Sequence, residues 1–351
     1  MANGKKISDK YKKIFWATFS PLLAMLTVWA LLKQNEKISM RDIVRTAAGA
    51  DKIWFLCAVI SSLIYIVFEG MAIHTIIKGS GYHTRKRSCM LYSTADIYFS
   101  AITPSATGGQ PASAYFMLRD RIPAGVTTAA LMLNLMMYTI SIVVLGILSV
   151  ILCPGTFLQF NSLSKLFIGI GAAVQLGLSV FFMLILKNGN IVFGIMKKAV
   201  RFLARKKIVR NPKRYLNKIN KIQKDYSSCS QMYSGNYPLL LKTFLWNLAQ
   251  RFSQLIVPSM LYISLGGSTK DWIVLFSKQS LITIGYSFVP LPGAMGVADY
   301  LMLQGFSEMM GKDLAFNLEM LSRGITFYIC VTISGLVTLA GYLIKRRGRA
   351  K

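Results

Sequence analysis

Apolar and charged positions alternate along this chain in long blocks, with no short-period alternation. Apolar runs occupy Ile14 to Leu32, Lys52 to Ile77, Ala124 to Leu152, Leu166 to Leu186, Leu239 to Leu265 and Glu319 to Ile344, and lysines and arginines crowd the connections. A helix needs about 20 apolar residues to cross a hydrocarbon core of roughly 30 Å, so each block predicts a transmembrane helix. Two further apolar stretches, Cys89 to Leu118 and Trp272 to Phe306, contain proline and glycine at their centres. They predict re-entrant helical hairpins, because broken backbone survives at membrane depth only where protein or a water-filled cavity covers it. The expected fold is an all-α polytopic membrane protein with about six full spans and two re-entrant hairpins.

The positive-inside rule orients the spans. Lys5, Lys6, Lys10, Lys12 and Lys13 precede the first run, which is too long for a signal peptide, lacks a small-x-small cleavage site and reads as an uncleaved anchor. The N-terminus is therefore expected in the cytoplasm. Lys78, Arg85, Lys86 and Arg87 follow the second span, and Arg119 and Arg121 close the first hairpin on the same side. From Lys187 to Lys224 the chain carries many Lys and Arg and no acid, with Ile195, Ala199, Phe202, Leu203, Ile208 and Val209 interspersed. That pattern predicts a basic amphipathic helix on the inner leaflet. The tail with Lys345, Arg346, Arg347 and Arg349 is expected there too, leaving the second hairpin to open outside.

The two interruptions match. Pro104-Ser-Ala-Thr-Gly108 and Pro292-Gly-Ala-Met-Gly296 share a frame, Asn134-Leu-Met-Met-Tyr138 aligns with Arg323-Gly-Ile-Thr-Phe327, and Gly146 falls opposite Gly335. The equivalent helices run in opposite directions, so the pattern predicts an inverted repeat with a binding site near the midplane. A first half at 14–186, with a hairpin near 89–118, and a second at 238–344, with a hairpin near 272–306, flank a basic linker at 187–237. Bulky residues at Gly108 or Gly296 are expected to fill hairpin contacts. The plainer alternative is that proline and glycine are simply common in membrane helices.

Composition then narrows the chemistry. Hydrophobic residues make up 54% of the 351 residues, and the formal net charge is +28. Because the cations sit in the connections, they argue for topology and against a nucleic-acid partner. The five cysteines show no metal spacing, and four lie in or beside apolar segments as small hydrophobes. No Walker A loop, HExxH or GxSxG is present. No catalytic residue, metal site or cofactor is therefore expected.

Charges within the apolar segments cost roughly 2.5–3.5 kcal/mol each on insertion scales unless paired or hydrated. Glu69, Asp96, Asp299, Arg251, Lys278 and Arg323 are such residues. Arg251 and Arg323 could grip an anionic phosphate in forked geometry with Lys278 adding a point charge, while the acids serve as counter-ions, amine receivers or proton carriers. Static salt bridges such as Glu69 to Arg251 are the alternative. Gln250 and Gln254 flank Arg251 as polar lining or interhelical glue. Lys242 and Glu319 stand close enough to helix ends to snorkel and are set aside.

Thr103-Pro-Ser-Ala-Thr-Gly-Gly-Gln-Pro111, Pro290-Leu-Pro-Gly-Ala-Met-Gly296 and the long basic loop resemble the transmembrane region of lysylphosphatidylglycerol synthase, the multiple peptide resistance factor family. The resemblance covers nearly the whole chain. It implies a flippase for aminoacylated phosphatidylglycerol, with lysine transfer from charged tRNA carried by a separate C-terminal cytosolic domain. A chain stopping at Lys351 is expected to lack that domain. The resemblance points to Thr103, Pro104, Gly108, Gly109 and Gln110 in the first hairpin and to Pro292, Gly293 and Gly296 in the second. Ala294, Val297 and Asp299 depart from the usual pattern, which leaves the headgroup open.

The expected activity is movement of a phosphatidylglycerol, plain or lysylated, through a polar cavity between the halves, with membrane phospholipid as partner. A component of lipid lysinylation working with a separate transferase, and an ion-coupled transporter of a small polar solute, are the alternatives. A homo-oligomer is compatible with either.

Overall fold

The computed structural model describes residues 46–103, 106–205, 211–289, 294 and 296–347. The run Ile14 to Leu32 and the residues Pro104, Pro292 and Gly293 lie outside them. The chain divides into a short unit, Met1–Gly49, of which residues 46–49 are described and helical, and a large unit, Ala50–Lys351, which holds everything that follows.

The large unit is helical, with no strand among the described residues. Helix α1 (Lys52–Gly79) starts at Asp51, whose carboxylate accepts from the backbone N–H groups of Ile53 and Trp54 at 2.9 and 3.2 Å. This N-cap satisfies donors that the first turn cannot. The first hairpin follows as α2 (Lys86–Ile102) and α3 (Gly109–Arg119), then α4 (Ala124–Leu152), a short α5 (Gly155–Gln159) and α6 (Ser162–Lys187). The basic stretch forms two helices, α7 (Asn190–Arg205) and α8 (Pro212–Ser234); Ile208 and Val209 lie outside the described residues.

The stretch read as one crossing from Leu239 to Leu265 consists of α9 (Tyr237–Leu255) and α10 (Val257–Ser264), joined at Ile256, whose own backbone is helical. Pro258 lacks the N–H that would bond one turn back, which ends the regular ladder there. The second hairpin is α11 (Trp272–Tyr286) and α12 (Val297–Met310). The last crossing is also divided: α13 (Lys312–Arg323), a π-helical turn at Gly324–Ile329, and α14 (Cys330–Arg347). In the widened turn the Ile325 carbonyl accepts from Ser62 Oγ of α1 at 3.2 Å, so part of the backbone bonding is satisfied from outside the helix.

Four stretches among the described residues are long and apolar enough to span a membrane: α1, α4, α6 and Lys312–Lys345. Their outward faces are apolar. Helix α6 exposes Leu166, Leu176, Val180 and Phe181, a surface that water penalises and hydrocarbon accepts. The protein is an integral membrane protein.

Packing crosses between the halves. α1 lies along α9, α10 and α2; α14 packs on α2, the first arm of the first hairpin; and α11, the first arm of the second, packs on α4. Close crossings use glycine, as at Gly171 of α6, where a Cβ would strike the Ile284 carbonyl of α11. The two breaks share a backbone feature at the alanine, though Gly108 has a φ of −80° and Gly296 one of +81°. Ala106 and Ala294, each third in its cassette, have φ of 52° and 49°, left-handed values that L-residues rarely adopt. Gly108 and Gly296, each last, are the N-caps of α3 and α12.

Candidate functional site

The first hairpin is closed by its own side chains. Thr103 Oγ1 donates to the Phe99 carbonyl at 2.6 Å and accepts from the Gly108 N–H at 2.8 Å, which ties the end of α2 to the start of α3. Deeper in, Gln110 Nε2 of α3 donates to Asp96 Oδ2 of α2 at 2.7 Å, and Ser100 Oγ donates to Asp96 Oδ1 at 3.2 Å. The arms approach this closely because residue 109 is glycine: a Cβ there would collide with Asp96 Oδ1 and Ser100 Oγ.

Asp96 belongs to a larger buried group. The Glu69 carboxyl of α1 lies within hydrogen-bonding reach of it, and Gln250 Nε2 of α9 donates to Glu69 Oε2 at 3.2 Å. The next residue, Arg251, is 3% exposed and its guanidinium carbon stands 3.5 Å from the ring centroid of Tyr138 on α4 and 5.5 Å from that of Tyr65 on α1. Its Nη1 donates to Gln254 Oε1 at 2.6 Å. The Tyr65 hydroxyl approaches the guanidinium without satisfying Nε or Nη2. Among the described residues Arg251 forms no ion pair, so the alternative of a static Glu69–Arg251 bridge is not what forms; Gln250 takes the carboxylate instead. Among the described residues Gln110 Oε1 and Gln250 Oε1 are likewise buried without partners. Five helices thus converge on a buried polar group that leaves, among the described residues, two donors and two acceptors without a protein partner. Such atoms cost roughly 1–3 kcal/mol each when left unmade.

The other predicted charges sit elsewhere. Arg323 of α13 pairs with Asp299 of α12, and its Nε stands 3.4 Å from Glu319 Oε1. Asp299 Oδ2 also accepts from the Gly296 N–H at 2.8 Å, which anchors the start of α12. Glu319 is only 2% exposed and, contrary to the snorkelling position expected near a helix end, packs inward against Asp299 and Arg323. Lys242 is exposed as expected. Lys278 of α11 is 1% exposed; its Nζ donates to the Gly305 carbonyl of α12 at 2.8 Å and lies 3.8 Å from Glu308. Lys278 therefore joins the two arms of the second hairpin, as Asp96 and Gln110 join those of the first. Arg251, Arg323 and Lys278 occupy three distinct polar groups, and no described contact joins them. Tyr65 and Tyr138, which form the guanidinium's walls, were legible only as generic aromatics of apolar spans.

At Gly296 the reason for glycine differs from the one expected. Among the described residues nothing lies within 4 Å of a Cβ built there, and its φ of +81° is the constraint.

A protein-family model described as the lysylphosphatidylglycerol synthase TM region matches residues 17–334. Comparison with curated proteins finds no match. The match takes in both hairpins, the basic helices and every member of the buried polar groups, and makes this a membrane protein related to lysylphosphatidylglycerol synthesis. The chain belongs to the family of lysylphosphatidylglycerol synthase transmembrane regions.

Proposed function

We propose that this protein moves phosphatidylglycerol or its lysylated derivative between leaflets, by admitting the headgroup to the polar group around Arg251 while the acyl chains stay in the bilayer. The observation that carries the reading is the complementarity of the orphan atoms. Arg251 Nε and Nη2 offer forked donors suited to a phosphate, and Gln110 Oε1 and Gln250 Oε1 offer acceptors beside the carboxyls of Glu69 and Asp96. A headgroup carrying a phosphate and either hydroxyls or an ammonium answers both sets.

In this reading α2–α3 and α11–α12 are re-entrant hairpins of an inverted repeat, with both chain termini cytoplasmic. The matched left-handed alanines and the crosswise packing of α14 on α2 and α11 on α4 support the repeat. Asp96–Gln110 holds one hairpin shut, and Lys278–Gly305 with Asp299–Arg323–Glu319 holds the other. Entry of a headgroup competes with these bonds, so one hairpin opens as the other stays closed. Tails need no polar path, because the hydrocarbon around the exposed faces of α1, α4 and α6 already accepts them.

The test is reconstitution of the purified chain in liposomes with fluorescent phosphatidylglycerol in one leaflet, against protein-free liposomes. The reading expects protein-dependent exchange. Absence of exchange together with ion-dependent uptake of a polar solute would transfer the site to a solute transporter. Exchange appearing only with an added lysyltransferase would make the chain a component of lipid lysinylation.

A further inference from the structure

The basic helices carry a feature that the central group does not use. α7 and α8 are pinned together by the edge-to-face pair Phe193–Tyr226, with ring centroids 5.4 Å apart, and Tyr226 is tied to the end of α6 through its hydroxyl, which donates to the Ile185 carbonyl at 2.9 Å. Beyond this pin the helices part into a groove of about 470 Å³ lined by Lys197 and Arg201 of α7 and by Lys213, Leu216, Asn217 and Asn220 of α8. That volume falls within the roughly 300–1,000 Å³ of ordinary small-molecule sites.

Among the described residues the groove is lined by cations, amides and Leu216, and by no carboxylate. Lys197 Nζ donates to Gln223 Oε1 at 2.6 Å, and Gln223 Nε2 donates to Asn190 Oδ1 at 2.7 Å, so a neutral amide relay fixes the ammonium without neutralising it. Neither Arg201 nor Lys213 forms an ion pair among the described residues. Like charges gathered in one concavity repel, and an anion relieves that repulsion while using the Arg fork and the amide donors.

The neighbouring surface gives the groove its setting. Successive helical residues turn by about 100°, so Lys197 and Arg201 share one face of α7 and Ile191 and Ile195 another. Ile191 and Ile195 are 65% and 63% exposed, the pattern of a helix lying in a membrane interface with its cationic face at headgroup level.

We propose that the α7–α8 groove is a phosphate-binding site separate from the central group, taking the phosphate of an anionic phospholipid headgroup or of a soluble phosphate ester. The full chain in detergent is titrated with glycerol phosphate and with mixed micelles containing phosphatidylglycerol or phosphatidylcholine. The triple variant K197Q/R201Q/K213Q is compared with K198Q/K218Q/K221Q, which removes equal charge from the same helices outside the groove. The groove variant is expected to bind at least about tenfold more weakly than wild type and the control to change by less than about twofold, because a forked site is lost in one and only diffuse charge in the other. Saturation by glycerol phosphate assigns the soluble source, and saturation by phosphatidylglycerol micelles alone assigns the lipid. Equal losses in the two variants, or no saturable binding of either ligand, overturn the proposal. Leaflet exchange in the groove variant reports on the central group independently.

Discussion

Arg251 is a cation enclosed by two aromatic rings and left with two unbonded nitrogens, and at the scale of the residue this sets the strongest expectation. Replacing it with Gln removes both the charge and the fork, and leaflet exchange in liposomes should fall by at least about tenfold. Arg251→Lys should not restore exchange, since an ammonium lacks the planar fork and the stacking surface. Equal rates for wild type and both variants would remove Arg251 from the path. A second residue-scale expectation concerns Ala294, held at φ 49°. Left-handed backbone costs an L-residue about 1–2 kcal/mol, so Ala294→Gly should leave the apparent unfolding temperature unchanged or higher, and Ala294→Val should lower it. A lower temperature for the glycine variant would show that the alanine side chain stabilises the break by packing.

At the scale of the element, each hairpin is a pair of arms held by polar contacts across a short gap. Gly109→Ala should lower apparent stability by about 2 kcal/mol, because the added methyl displaces Asp96 and Ser100 from the other arm. Thermal unfolding in detergent checks this, and an unchanged midpoint would mean that the arms do not close as described. The breaks themselves were legible in the sequence, because proline and glycine act on the backbone wherever they occur: Gly108 and Gly296 cap the second arms as the matched cassettes imply. Partners across the arms were not legible. Asp96 finds Gln110, and Lys278 finds the Gly305 carbonyl, only once the arms fold back. The depth of Glu319 was misread for a related reason: the apolar run begins there, but α13 starts at Lys312 and carries Glu319 inward. The division of α9 from α10 at Ile256 was hidden because Pro258 sits in otherwise apolar sequence and the run of hydrophobic residues continues through it.

Across the whole molecule, each hairpin is held by a helix distant from it in sequence: α14 packs on α2, and α4 packs on α11. In the proposed transport cycle, movement of either hairpin would be felt by the helix packed against it, the coupling that alternating exposure requires. Arg323→Ala should uncouple the second hairpin by freeing Asp299 and leaving Glu319 buried without its cation, and exchange should be lost although protein remains in the membrane. Normal exchange in that variant would place the Asp299–Glu319–Arg323 group outside the gate. The proposed path of the headgroup runs through the group around Arg251. The most direct measurement is the rate at which lysylphosphatidylglycerol, placed in the inner leaflet of liposomes, becomes accessible to an amine-reactive reagent outside, in the presence of wild-type or Arg251→Gln protein. Rapid labelling is expected with wild type, and labelling near the protein-free rate with the variant. Equal, rapid labelling with both proteins would contradict it.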